Sequence, residues 1–238
     1  MSDSRILILF DIDGTLVWTR GAGRAAMLDA LDRMFSHDAA LAERLRQRCQ
    51  THSFGGKTDW LTLVELLRDE GYSPQSVGAL MADFNQVMGA SIDRLIGGFD
   101  VQPCTGGRET VAALKAREDV RLALVTGNVS RSAPVKLRAA GYAPADFPVG
   151  AFGDDAMDRD HLPPLAFERA CAHYACSFAP HNVIVVGDTL ADIQCARAAG
   201  FRAVAVCTGF EARDVLLAAA PDALIDDLHG LAAVLPGA

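Results

Sequence analysis

Short apolar runs alternate with helical patterns along most of this chain. Each run is too short for a core helix and has the character of a buried strand. Several of the helical patterns begin at a serine or threonine and end at a glycine. This alternation predicts an α/β fold, a parallel sheet with helices on both faces. The predicted strands are residues 6–10, 121–126, 149–152, 182–187, 202–207 and, more weakly, 223–225.

The alternation stops between about residues 20 and 100, where apolar residues recur at helical spacing instead. The clearest case is the stretch 77–95, whose apolar residues fall on one helical face. We predict at least three amphipathic helices here, inserted between the first and second strands. The chain would therefore have a core of residues 1–18 and 102–238 and a helical domain of residues 19–101.

Composition and charge narrow the classes of function. The chain has 238 residues, of which 50% are hydrophobic and 22% charged, and its formal net charge is −8. This charge argues against general affinity for nucleic acid or an anionic membrane. No stretch approaches the apolar length of a membrane span, and the run at 6–10 is too short for a signal peptide. With six cysteines but no Cys-x-x-Cys pair, we expect a cytoplasmic protein.

The first strand leads directly into Asp11-Ile12-Asp13-Gly14-Thr15. Open α/β sheets bind ligands at the carboxyl ends of their strands, which is where these carboxylates would lie. Two acidic groups so close repel each other unless a cation lies between them. The motif therefore indicates a metal-assisted reaction in which one aspartate is free to act as a nucleophile.

Two later strand ends add polar groups to the same predicted edge. Thr126-Gly127-Asn128 offers a hydroxyl and a main-chain N–H that can bind a phosphate. Gly187-Asp188-Thr189, with Asp192 one helical turn further on, adds two more carboxylates. Each of these short polar motifs is by itself common in turns. The inference of a metal-assisted site depends on their meeting at one edge of the sheet. Oxygen ligands of this kind suit Mg²⁺.

The order of these motifs resembles the haloacid dehalogenase (HAD) superfamily, and the resemblance covers essentially the whole chain. It implies a Rossmann-like core with an inserted all-helical C1-type cap, as in phosphoglycolate phosphatase-like and β-phosphoglucomutase-like members. It also implies that Asp11 is the nucleophile and Asp13 the general acid and base. Thr126 and Gly127 would bind the phosphoryl group. The Mg²⁺ ligands would be Asp11, the main-chain carbonyl of Asp13, Asp188 and Asp192.

One family element departs from the pattern. The family places a lysine before the fourth motif to hold the nucleophile and the phosphate, but residues 148–182 contain none. Arg159, just before the helix that begins near Pro164, is the favoured replacement. Arg169 falls inside that helix and suits a surface role better, and Lys136 ranks third because its helix is a less suitable place.

On the cap side, Gly56 and Lys57 lie in a glycine-rich loop that faces the active site in C1-capped relatives. Lys57 could contact the non-reacting part of an anionic substrate, or it could be a solvated lysine near a helix start. Arg20, Arg24 and His52 are weaker candidates.

The sequence thus predicts a Mg²⁺-dependent phosphatase of a small phosphorylated metabolite, acting through an aspartyl-phosphate as a monomer or homodimer. A phosphomutase stays open because mutases share all four acidic residues. A non-catalytic binding protein on the same scaffold is a further alternative.

Overall fold

A six-stranded parallel sheet organises the larger part of the chain in this computed structural model, which describes residues 5–236. The strand order is β5-β4-β1-β6-β7-β8, and β2 and β3 form a separate antiparallel pair. The strands are β1 Ile6–Phe10, β2 Val17–Trp18, β3 Gln102–Pro103, β4 Val120–Val125, β5 Gly150–Ala151, β6 Val183–Gly187, β7 Arg202–Val206 and β8 Ala223–Ile225. The helices are α1 Ala22–Met34, α2 Ala39–Thr51, α3 Asp59–Leu67, α4 Pro74–Leu95, α5 Gly107–Lys115, α6 Ala133–Ala139, α7 Leu162–Tyr174, α8 Leu190–Ala198 and α9 Arg213–Ala218.

The central strand β1 shows why the sheet is covered on both faces. All five of its side chains are buried, and successive side chains belong to different apolar clusters. Ile6, Ile8 and Phe10 pack with residues of α5 and α6, whereas Leu7 and Leu9 pack with residues of α7, α8 and α9. The predicted α/β fold with a parallel, Rossmann-like core is confirmed.

The predicted strands all exist, with small differences at their ends. The run predicted at 121–126 forms β4 one residue earlier, so Thr126 lies just after the strand. The run predicted at 149–152 shortens to two residues in β5, which lies at the edge of the sheet. Strand ends depend on pairing with a neighbour, which local hydrophobicity does not encode.

Helices α1 to α4 form the second apolar cluster of the molecule, which contains Met27, Phe84 and Ile92. Val129 and Val135, from the sheet-bearing part, join this cluster, so the two parts share an apolar contact. The β2–β3 ribbon lies where the chain enters and leaves the helical part. The inserted all-helical cap is confirmed as part of the fold, and its exact boundaries stay a prediction. In residues 5–236, no helix has the length and apolar character that a membrane crossing needs.

A sharp turn after β1 brings the acidic motif to the sheet edge. Gly14 has a φ of 82°, a conformation that a side chain disfavours. A Cβ on Gly14 would also collide with the carboxylate of Asp188. Glycine at this position therefore lets the turn pass directly against the end of β6.

Candidate active site

The carboxyl ends of three adjacent strands bring the predicted site residues together. Asp11 follows β1, Thr126 follows β4 and Asp188 follows β6, and β1 pairs with both of the other strands. The Asp11 main-chain N–H donates to the carbonyl of Val186 at 2.9 Å, which extends the β1–β6 pairing to the site itself. The sheet register therefore fixes the spacing of these side chains.

Asp11, Asp188 and Asp192 form a buried acidic cluster. Each offers a carboxylate oxygen within 4.8 Å of the others. Burial, followed by the charges of Asp192 and Asp13, raises the pKa of Asp11 to about 7 although Arg159 opposes the shift. Burial, together with Asp192 and Asp11, also raises the pKa of Asp188 well above its usual range. The three carboxylates destabilise one another's negative charge. A divalent cation bound between them would neutralise that charge.

Local hydrogen bonds orient two of these carboxylates. Asp188 accepts from the Thr15 hydroxyl at 3.1 Å and from the Phe210 main-chain N–H at 2.8 Å. Asp192 accepts from the N–H of Thr189 at 3.0 Å and from its hydroxyl at 2.6 Å, in a capping box that begins α8. Asp192 can therefore cap α8 and belong to the acidic cluster at the same time.

Arg159 is the cation next to the acidic cluster. Its guanidinium is buried, lies 3.2 Å from Asp11 and forms an ion pair with Asp192. Arg169 pairs instead with Asp155 through two hydrogen bonds and donates to the Gly150 carbonyl, outside the cavity lining. The structure thus places Arg159, and not Arg169, beside Asp11.

Lys136 is a second buried cation of the site, and the sequence ranking underestimated it. Its ammonium lies 2.6 Å from the Asp13 carboxylate and also donates to the side-chain oxygen of Asn128. Asn128 in turn donates to Asp13 at 2.8 Å, and Thr19 donates to the other Asp13 oxygen at 3.2 Å. The Asp13 carboxylate is therefore held by three donors.

The phosphate-binding candidate Thr126 is fully buried, and its hydroxyl oxygen accepts from the Asn128 side chain at 2.8 Å. Its hydroxyl hydrogen stays available for an acceptor. Gly127, the next residue, packs so tightly against the cap that a Cβ would collide with the carbonyl oxygen of Lys57. Its glycine identity is therefore explained by close contact with the cap loop.

Asp59, the first residue of α3, fastens the cap to this loop. Its main-chain N–H donates to the Gly127 carbonyl at 2.7 Å, and its carboxylate accepts from the Val129 N–H at 2.9 Å. Burial raises the pKa of Asp59 to about 6, while Lys136 opposes the shift. Next to it, the Thr58 hydroxyl donates to the Met157 carbonyl at 2.7 Å. We call these contacts the α3 clamp.

A second set of contacts joins the cap to the core through Asn85 on α4. Its amide nitrogen donates to the Ser130 hydroxyl at 2.8 Å and to Asp154 at 2.6 Å. Its carbonyl oxygen accepts from the Arg131 N–H at 3.1 Å. The segment that follows β4 is therefore fixed by two cap helices.

A cavity of about 500 Å³ lies between the cap and the sheet edge. Asp11, Asp13 and Thr126 line its core side. Gly56 and Lys57 line its cap side, and the Lys57 ammonium lies 2.6 Å from Glu65. Arg24, a weaker candidate from the sequence, also lines the cavity.

The structure brings together nearly every residue that the sequence nominated. Asp59 is the addition. From the sequence, Lys136 ranked only third and Asn128 was only part of a motif, yet both contact Asp13. Lys136 lies in an otherwise apolar stretch of its helix, between Val135 and Leu137, and a lysine buried there needs a charged partner.

Comparison with known proteins places these observations in a family. A model of the haloacid dehalogenase-like hydrolases matches residues 7–200. A phosphoglycolate phosphatase from Nitrosospira multiformis is 34% identical over 117 residues, which are 49% of each chain. The alignment thus spans about half the length of this curated relative.

Solved structures extend the likeness over nearly the whole chain. CbbY from Rhodobacter sphaeroides, in complex with phosphate, has a TM-score of 0.67 at 22% identity and covers 99% of both chains. A Thermotoga maritima protein provisionally described as a β-phosphoglucomutase has a TM-score of 0.58 at 21% identity, over 96% of this chain and 97% of that one. This chain shares the fold of these structures. At such low identity the chemistry of its site must be inferred from its own residues.

Proposed function

Because the chain belongs to the haloacid dehalogenase-like hydrolase family, we propose that it is a Mg²⁺-dependent phosphatase of a small phosphomonoester. The observation that carries this proposal is the meeting of Asp11 with two further buried carboxylates and a buried arginine. A nucleophile, a set of cation ligands and a phosphate-binding group are then within reach of one another.

In the proposed reaction, a carboxylate oxygen of Asp11 attacks phosphorus and the bond to the leaving oxygen breaks. Asp13 gives its proton to that oxygen. Asp13 then takes a proton from water, which attacks the aspartyl-phosphate and releases inorganic phosphate. Thr126, the Gly127 N–H and Arg159 bind the phosphoryl oxygens throughout.

Mg²⁺ would be held by Asp11, Asp188, Asp192 and the main-chain carbonyl of Asp13. When bound, it would neutralise charge between the attacking carboxylate and the phosphoryl oxygens. The buried acidic cluster fits such an ion because its donors are all hard oxygens.

The direct test is release of 4-nitrophenol from 4-nitrophenyl phosphate by the purified protein, with Mg²⁺ and with excess EDTA. We expect turnover with Mg²⁺ that EDTA removes and that the Asp11→Asn variant lacks. The matched control is Asp83→Asn, a change of the same charge on the exposed face of α4. Substantial activity in Asp11→Asn would refute the assignment of the nucleophile.

A phosphomutase is the second candidate, because the Thermotoga maritima neighbour is described as one. The two activities differ in where the phosphoryl group ends. Incubation with a sugar phosphate gives free phosphate for a phosphatase and an isomeric sugar phosphate for a mutase. A protein that releases and transfers no phosphoryl group from any metabolite tested would instead be a binding protein on this scaffold.

A further inference from the structure

The cavity has two chemically different ends. Its core end carries the charged groups of the proposed reaction. Its cap end combines the apolar side chains of Met27, Phe54 and Met88 with charged groups that already have partners within the protein. The cavity volume of about 500 Å³ lies within the range of about 300–1,000 Å³ typical of pockets for drug-sized ligands. A phosphoryl group with a two-carbon leaving group would leave much of this space unfilled.

Lys57, the cation of the cap loop, already has an anionic partner. Its ammonium lies 2.6 Å from the Glu65 carboxylate. His52 lies 3.2 Å from the same carboxylate, and burial followed by the charge of Lys57 lowers the pKa of His52. The lowered pKa disfavours the charged form of His52, and Lys57 forms the shorter contact with Glu65.

Arg24, the other cation that the cap contributes to the cavity lining, is also engaged. Its guanidinium donates to the carbonyls of Cys49, Gln50 and His52, which close the end of α2. The guanidinium also lies over the Phe54 ring, 4.5 Å from its centroid. Arg24 thus holds the loop between α2 and α3 in place.

Acidic side chains also contribute charge at the cavity. Asp59 and Glu211 line it, and Glu65 forms an ion pair with Lys57. A second anion on the substrate would have to displace Glu65 from Lys57, draw the Arg24 guanidinium away from its main-chain carbonyls, or lie near these carboxylates unpaired. Each of these options is unfavourable.

On the basis of the phosphatase function proposed above, we infer that the substrate's leaving group is uncharged and larger than a two-carbon unit. The substrate then carries its negative charge on the transferred phosphoryl group alone. The apolar cap end receives the rest of the molecule. This substrate class differs from phosphoglycolate, which the curated relative's name specifies, and from bisphosphates.

Two matched pairs of phosphomonoesters test the inference on the unmodified protein with Mg²⁺. Each pair compares a neutral leaving group with a related one that carries a carboxylate. The small pair is 2-hydroxyethyl phosphate and 2-phosphoglycolate, and the large pair is phenyl phosphate and 4-carboxyphenyl phosphate. We expect kcat/KM to favour the neutral member of each pair by about tenfold or more, the cost of an unpaired anion in a partly desolvated site. We also expect phenyl phosphate to exceed 2-hydroxyethyl phosphate.

The variant Glu65→Gln tests the role given to Lys57. Loss of the Glu65 charge frees the ammonium, so kcat/KM for both carboxylate-bearing substrates should rise about tenfold while that for the neutral substrates stays unchanged. Asp83→Asn, the same charge change on the exposed face of α4, should alter neither. An unchanged preference in Glu65→Gln would contradict the pairing argument.

The outcomes separate the two proposals. Turnover with a preference for 2-phosphoglycolate or 4-carboxyphenyl phosphate would overturn the inference and leave the phosphatase standing. No turnover of any of the four compounds, nor of 4-nitrophenyl phosphate, would overturn the phosphatase proposal and the inference with it.

Discussion

At the scale of single residues, Arg159 pairs with two of the three clustered carboxylates. It is buried and contacts Asp11 and Asp192, so in the proposed reaction its guanidinium would hold the nucleophile and bind a phosphoryl oxygen.

We expect Arg159→Ala to lower kcat/KM for phosphate-ester hydrolysis by about 10²–10³-fold, because a charge-assisted contact to the phosphoryl group is lost. Without metal, the unpaired carboxylates should also lower the free energy of unfolding by about 3–5 kcal/mol. Arg169→Ala, which removes a half-exposed ion pair to Asp155, is the matched control and should leave the rate nearly unchanged. Equal kinetic effects of the two variants would remove Arg159 from the site.

The contacts found only in the structure show where sequence interpretation stops. Asp11, Thr126 and Asp188 each follow an apolar strand, so the edge that they share could be predicted from local pattern and sheet topology. Lys136 and Asp59 act through partners 123 and 70 residues away along the chain. Such pairings depend on how the cap docks on the core, which local periodicity does not encode.

At the scale of elements, the α3 clamp makes the proposed phosphate-binding loop depend on the cap. The loop that carries Thr126 and Gly127 is held from the cap side by Asp59 and from α4 by Asn85. Closure of a cap excludes water from a reacting site in many enzymes. In this chain the closed cap also supports the loop itself.

We predict that the Asp59 carboxylate supports activity by accepting the hydrogen bond from the Val129 N–H. Asp59→Ala removes the acceptor for the Val129 N–H, and we expect kcat/KM to fall by about tenfold or more even for a small substrate that reaches little of the cap. Asp59→Asn keeps an acceptor oxygen and should restore most of the activity. Steady-state kinetics on 4-nitrophenyl phosphate measure both, and equal loss in both variants would argue against the acceptor role.

The pKa of Asp59, raised to about 6 by burial, gives a pH test of the same element. The folded protein binds this proton more tightly than the unfolded chain, whose aspartate has a pKa near 3.8. Stability of the wild-type protein should therefore fall, relative to Asp59→Asn, by roughly 3 kcal/mol as the pH rises from about 4 to about 6, and stay level above. Urea unfolding of both proteins across this range measures the difference, and parallel curves would show that the carboxyl is not buried in the folded protein.

At the scale of the whole molecule, the sheet edge holds the buried acidic cluster and faces the cap across the cavity. Fold class and helical insert could both be predicted from the alternation of strands and helices, because burial on both faces gives parallel strands a continuous apolar signature. The cluster carries an electrostatic cost that the fold alone does not relieve, since burial and mutual repulsion raise the pKa values of Asp11 and Asp188. A bound cation would remove that cost.

We therefore expect Mg²⁺ to stabilise the folded protein. At a hundredfold excess over the dissociation constant, binding contributes about 2.7 kcal/mol, which corresponds to a rise in Tm of roughly 5–10 °C for a chain of this size. Asp188→Asn should abolish the rise, whereas Asp83→Asn should retain it. A thermal melt with and without Mg²⁺ measures this, and an equal rise in Asp188→Asn would place the cation elsewhere.

The central claim is that Asp11 is a nucleophile beside a divalent cation in one site. Beryllium trifluoride, which adds to an aspartate as a mimic of its phosphorylated form, tests this without knowledge of the substrate. The account predicts that ¹⁹F NMR shows protein-bound fluoride resonances with wild-type protein and Mg²⁺, and that these vanish with EDTA and in Asp11→Asn. Bound resonances that persist in Asp11→Asn, or that form without any divalent ion, would contradict it.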